Sequence, residues 1–246
     1  MPILDQSNPL PFFKSLYHGF NARLGSPADR RDSIEDILTY AFESFERGVE
    51  HAPENLAALA CHGGCASCCT IRVAATAPEI LLIARAIKSS PKTMEFELSR
   101  KIAGADRATQ QLDERQRMES GFACPFIARD LCVIYSVRPL ACRGHASFDE
   151  RACIDALAGR ACDVPISALH MTVRSLVQNA MQAALRDAGR AWGVYELNQA
   201  LHIALADDAC ETVWAQGVDV FASALIADVS LEEMAETFDA LKAHIA

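Results

Sequence analysis

The sequence predicts an all-α fold: a helical domain built around an irregular, cysteine-rich metal-binding core. Three observations lead there. Apolar residues recur at intervals of three and four in several separate stretches, the period of a helix with one buried face. No stretch alternates apolar and polar residues over five or more positions, so Val73 and Val133-Ile134 leave room for short strands at most. Eight of the ten cysteines gather in two clusters, and these occupy the least periodic parts of the chain.

Composition sets the boundaries. A chain of 246 residues with 51% hydrophobic content buries a full core without disulfide help. Its net charge of −9 makes it a poor generic binder of nucleic acid or anionic membrane, since both need a positive field. The opening Met1-Pro-Ile-Leu-Asp-Gln-Ser-Asn lacks the basic and apolar regions of a secretory signal. No window of 18 apolar residues marks a membrane span. The expected location is therefore the cytoplasm, a reducing compartment in which structural disulfides are rare. Ten cysteines in that setting favour metal binding or redox chemistry. No nucleic-acid or membrane partner is expected; a protein or small-molecule partner is left open.

The elements follow in order. Residues 1–28, rich in Pro, Gly, Asn and Ser and broken by Phe12, Phe13, Tyr17 and Phe20, read as an irregular N-terminal arm. Ile34, Ile37, Leu38, Ala41, Phe42, Phe45 and Val49 mark an amphipathic helix over 30–50. Thr76-Ala-Pro-Glu79 is a capping box, with Pro tolerated in the first turn, and predicts a helix over 77–89 that Pro91 stops. Residues 92–119 read as one largely solvated helix, and 121–163 as short irregular pieces. Leu169, Val173, Leu176, Val177, Ala180, Met181, Ala184 and Leu185 form the stripe of a further helix, which Gly189 and Gly193 fit to end. Others are expected over 195–206 and within 208–226. A second capping box, Ser230 to Glu233, opens a last helix with the stripe Leu231, Met234, Phe238, Leu241 and Ile245. The resulting division is an arm (1–28), a cysteine-cluster metal-binding region (29–163) and a helical C-terminal region (164–246) packed on the same domain.

The cysteines carry the chemistry. Cys61, Cys65, Cys68 and Cys69 share one loop, spaced so that it wraps a metal closely. Gly63 and Gly64 relieve the sterics of such a loop and leave backbone N–H groups free to point at sulfur. Cys124, Cys132, Cys142 and Cys153 are separated by seven, nine and ten intervening residues, a wider wrap with Pro125 and Pro139 fixing its loops. All eight are candidate metal ligands. The adjacent pair Cys68-Cys69 suits a polynuclear centre better than one tetrahedral zinc, so an iron–sulfur cluster of the 4Fe–4S type is the expected cofactor, with zinc the alternative. His62 and His145 sit beside clustered cysteines, but eight thiolates already exceed what one metal needs. Arg138 and Arg143 flank Cys142 and either tune the thiolates, bind an anionic substrate or form a structural ion pair. Tyr135 reads as core, and Cys162 and Cys210 as small buried hydrophobes.

Cys61-x3-Cys65-x2-Cys68-Cys69, Cys124-Pro-Phe-Ile, Cys132-Val-Ile-Tyr135, Arg138-Pro139, Cys142-Arg143 and Cys153 resemble the CxxCxxCC, or YkgJ-like, cysteine-cluster family of zinc- or iron-chelating proteins. The resemblance covers roughly 58–160, and Glu79 is similar to the family's helix start. The family name implies two residues between the first cysteines where this chain has three, so Cys65 matches more closely than Cys61. The resemblance implies metal or iron–sulfur binding. A flagellin lysine N-methylase is similar in its cysteine cluster, which implies S-adenosylmethionine-dependent protein modification as an alternative activity, although no glycine-rich cofactor loop accompanies it here. A metal carrier or sensor is the third reading.

Overall fold

The computed structural model describes residues 4, 5, 7–25, 30–51, 54, 56–228 and 230–244, with only the backbone described for 30–33. The molecule is mostly helical, at 61%. Among the described residues it holds eleven α-helices and two small antiparallel strand pairs.

Helix α1 (Leu10–Leu24) corrects the expectation of an irregular arm. Pro9 and Pro11 lie at its N-cap and first turn, where backbone N–H groups lack helical partners anyway, so they start the helix and do not break it. Phe12, Phe13, Leu16 and Phe20 then form a buried stripe. Helix α2 (Arg30–Glu50) buries Ile34, Ile37, Leu38, Ala41, Phe45 and Val49, as the periodicity predicts.

Strand β1 (Ala74–Thr76) runs directly into α3 (Ala77–Lys88). Ile80, Leu81, Ile83, Ala84 and Ile87 are all buried, making α3 an inner helix. Helix α4 (Lys92–Thr109) buries Leu98, Ile102 and Ala105 and turns its other face to solvent. The single helix expected over 92–119 is two. Asp113 accepts from Gln116 N at 2.8 Å and Gln116 returns to Asp113 N at 3.1 Å, a capping box that opens α5 (Glu114–Ser120) independently.

The second cysteine region is made of short pieces. Strands β2 (Ile127–Ala128) and β3 (Leu131–Cys132) form a hairpin whose turn residues, Arg129 and Asp130, both have positive φ, as a two-residue turn of the I′ kind requires. Helices α6 (Leu140–Gly144) and α7 (Glu150–Leu157) follow.

Helix α8 (Ala168–Asp187) is the centre of one group, packing on α1, α2, α6 and α11 (Leu231–Ala243). Helix α9 (Leu197–Ala206) packs on α3 and α4 in the other. The groups meet where α2 touches α3, and one contiguous apolar core runs through both. Strand β4 (Val194–Glu196) precedes α9 and pairs with β1 in the register Ala74↔Glu196, Ala75↔Tyr195, Thr76↔Val194. These strands stand at 74–76, 127–132 and 194–196, displaced from the short ones allowed at Val73 and Val133-Ile134. The helix expected within 208–226 is only α10 (Cys210–Trp214) and a 3-10 turn at Ala222–Ala224. Ile245, expected on the last stripe, lies outside the described residues. No helix among the described residues is long and apolar enough to cross a membrane.

Helix α2 comes close to α8 and α1 at Gly48, where an added Cβ would meet Val173 Cγ1 at 2.8 Å and Phe12 Cζ at 3.2 Å. Gly48→Ala is expected to lower stability by about 1–3 kcal/mol, the cost of overpacking a filled core. Urea denaturation of the two proteins measures it; an unchanged midpoint would refute the close packing at this position.

Candidate metal centre

The loop bearing the first four cysteines is folded by its own backbone. Cys65 N donates to His62 O at 3.1 Å and Cys69 N to Ala66 O at 2.9 Å. Gly64 takes a positive φ of 96°, the conformational freedom the tight spacing demands. The loop is then tied to the second cluster at both ends. At its entry, Ala60 N donates to Ser147 O at 2.9 Å, Ser147 N to Cys61 Sγ at 3.3 Å, and His62 Nε2 pairs with Glu150 at 3.4 Å. At its exit, Cys124 N donates to Cys69 O at 2.6 Å. Segments more than fifty residues apart in sequence are thus joined main chain to main chain.

Glu79 makes the deeper connection. Its carboxylate is 1% exposed. One oxygen accepts from both Thr76 N and Thr76 Oγ1 at 2.7 Å, and the other accepts from Leu140 N at 2.7 Å. The residue that caps α3 therefore also caps α6, which carries Cys142. Burial pushes the Glu79 pKa up, against the opposing pull of the Leu140 and Thr76 donors and the Arg143 charge.

The thiols fall into two groups that share Cys68. Cys142 is pushed well above the usual thiol range, first by burial and then by repulsion from Cys124, Cys68 and Cys132. Burial also raises Cys124, to about 11, with Cys132 and Cys68 adding to the effect. Cys68 rises through its hydrogen bond with the Cys69 thiol and through burial. Cys132 rises by burial, against the pull of Arg138. Cys68, Cys69, Cys124, Cys132 and Cys142 therefore occupy one neighbourhood. The flanking group is Cys61, exposed at the loop entry, with Cys65, Cys68 and Cys153 as its thiol neighbours. Among the described residues, no three His, Cys, Asp or Glu side chains converge into a closed metal-ligand set. The thiols share a neighbourhood, not a finished coordination sphere.

Guanidinium groups surround that neighbourhood. Arg138 faces Cys68, Cys132 and Cys142, Arg117 faces Cys124, and Arg174 faces Cys142. Each has buried N–H groups without a hydrogen-bond partner: Nε and Nη1 of Arg117, and Nε of Arg138 and Arg174. Their carboxylate neighbours are Glu196 and Glu114 for Arg117, and Glu79 for Arg174. Burying a charge with unpaired donors is costly unless negative charge lies close by. Neutral thiols do not supply it; metal-bound thiolates do. The donor set and its cationic surround thus fit a soft metal centre of net negative charge.

The remaining expected residues divide. Arg143 is structural: it pairs with Glu46 at 3.1 Å, donates to the carbonyls of Arg138 and Ser136, and stacks on Phe42. His62 is occupied by Glu150 and the Gly63 carbonyl. His145 is held below the usual imidazole range by burial and by Arg174. Tyr135, expected in the core, is 58% exposed and lies under the Arg138 guanidinium at 4.1 Å, because the 3-10 turn that carries it runs along the surface. Cys210 is buried as expected, whereas Cys162 is exposed, its thiol turned to the Ala152 carbonyl. Sequence reasoning missed Arg117, hidden in a stretch that reads as solvated, and Arg174. The available signal for Arg174 was a charged residue interrupting the apolar stripe next to Val173.

Clustered thiols with arginines beside them have the chemistry expected of a cysteine-rich metal site. Residues 60–162 match the family model CxxCxxCC, "Putative zinc- or iron-chelating domain". This stretch is similar to that domain, and the match is consistent with binding of zinc or iron through cysteines. No curated protein and no solved structure matches the chain.

Removing the Glu79 carboxylate leaves the Leu140 and Thr76 N–H groups buried and unpaired. Glu79→Ala is expected to cost about 2–4 kcal/mol in chemical denaturation, the penalty for two orphaned buried donors. A loss below 1 kcal/mol (roughly one ordinary hydrogen bond) would show that Glu79 does not join α3 to α6.

Proposed function

We propose that this chain holds an iron–sulfur cluster through Cys68, Cys124, Cys132 and Cys142, with Cys69, Cys61, Cys65 and Cys153 flanking it. The observation that carries the reading is the set of buried, unpaired guanidinium N–H groups of Arg117, Arg138 and Arg174 beside the four thiols. A metal–thiolate centre would place further negative charge beside those N–H groups. A metal displaces the thiol protons and leaves the centre net negative; Arg117, Arg138 and Arg174 offset that charge. When bound, an iron–sulfur cluster supplies one-electron chemistry at a potential set by its surroundings. Cys69, hydrogen-bonded to Cys68, offers a fifth thiol beside the four, and adjacent thiolates suit a polynuclear centre better than one tetrahedral zinc.

Anaerobic purification followed by iron, zinc and sulfide analysis tests the reading. Brown protein with matching iron and acid-labile sulfide is the expected result. Colourless protein carrying zinc would replace the cluster with a four-thiolate zinc site, and metal-free folded protein would overturn both. Cys142→Ser is expected to lose most of the bound metal, and Cys210→Ser, remote from the thiol group, to keep it. Equal metal content in both variants would remove Cys142 from the site.

A further inference from the structure

The chain carries nine more acidic than basic side chains, yet one groove beside the thiols is basic. It has a volume of about 510 Å³, lies between α4 and the segment 122–127, and reaches Cys124 on its far wall. Arg100, Lys101 and Arg107 of α4 line it, and no carboxylate does so among the described residues. None of these three cations has an ion-pair partner among the described residues.

Helical geometry aligns them. Arg100, Gly104 and Arg107 follow the i, i+4, i+7 spacing of one face, and the two arginines are about 10 Å apart along the axis. Gly104, between them, also lines the groove, and an added Cβ there would meet nothing within 4 Å. A glycine inside a helix costs about 1 kcal/mol relative to alanine. No close packing requires this one. Its effect is to leave the wall open between the two charges. The opposite wall offers the ring of Phe122 as an apolar surface. The volume lies within the range of small-molecule sites, about 300–1,000 Å³.

We propose that this groove binds a small molecule bearing several oxyanion groups, bridged between Arg100 and Arg107 with Lys101 beside them. The spacing selects a ligand charged over about 10 Å, such as an oligophosphate or a polycarboxylate, over a single compact anion. That the bound molecule would also lie against a metal centre rests on the four-thiolate reading; the oxyanion site itself does not.

Calorimetric titration of the full chain with inorganic tripolyphosphate, and separately with citrate, tests the proposal and tells phosphate from carboxylate. Saturable one-to-one binding that weakens as salt rises is expected for at least one of them. The double variant R100Q/R107Q is expected to weaken it about tenfold or more, given the strength of charge-assisted hydrogen bonds. Gly104→Leu should block the groove to the same degree while leaving thermal stability unchanged or raised, since the new side chain enters open space on a helix. Metal content measured on the same samples keeps the two ideas separate: binding by metal-free protein supports the groove and counts only against the cluster. Absence of saturable binding to either probe would overturn the proposal. So would binding that both variants retain, or a groove that takes an acidic peptide and neither small anion.

Discussion

One buried carboxylate holds the candidate centre together. Glu79 is the third residue of α3 and accepts hydrogen bonds from the start of its own helix and from the start of α6. Before Thr76 lies the loop with four cysteines; two residues beyond Leu140 lies Cys142. The carboxylate therefore fixes the separation between two stretches of chain that local structure alone would leave independent. Its burial raises the energy of the charge, and the donors aimed at it make that burial tolerable. Arg143 and Arg174, both within electrostatic reach of Glu79, tie the same carboxylate into the cationic surround of the thiols.

The scaffold repeats this device. Strands β1 and β4 are three residues each, and each runs straight into a helix. Their antiparallel pairing sets the N-termini of α3 and α9 at opposite ends of the short ladder, with Glu79 capping one and Glu196 capping the other through Gln199 N. Two such short strands would not persist alone in water. They persist because Ala75 and Tyr195 are completely buried where the two helix groups meet. The irregular cysteine segments can remain irregular because these regular elements pin them at both ends.

The sequence made the helices legible where one apolar face dominates. Helices α2, α3 and α8 start and stop close to where periodicity and capping put them. Helix α1 was hidden because Pro, Gly and Asn are turn formers on average; only contact with α2 and α8 shows that Pro9 and Pro11 lie at a helix start and Gly19 at a close approach to Tyr40. The break before α5 was written in Asp113 and Gln116, a weaker form of the signal recognised at Thr76 and Glu79. At the site, clustering in the sequence and the family resemblance marked Cys68, Cys124, Cys132 and Cys142 as candidates, and the wide spacing of the last three did not tell which thiols share a neighbourhood. That depends on the Cys124–Cys69 backbone bond and on Glu79. The roles of Arg117 and Arg174 were beyond reach, since a buried arginine differs from a solvated one only through its tertiary surroundings.

The pairing of β1 with β4 also sets an order of events during synthesis. Cys69 leaves the ribosome more than a hundred residues ahead of Arg174, which faces Cys142, and further still ahead of Glu196. At roughly 5–20 residues per second, that interval is about 5–20 s. Through it the nascent chain carries the first thiols without Arg174 and without the strand that pairs with β1. The strand Val194–Glu196 thus serves as a latch, closing a scaffold whose first thiols were made well before it.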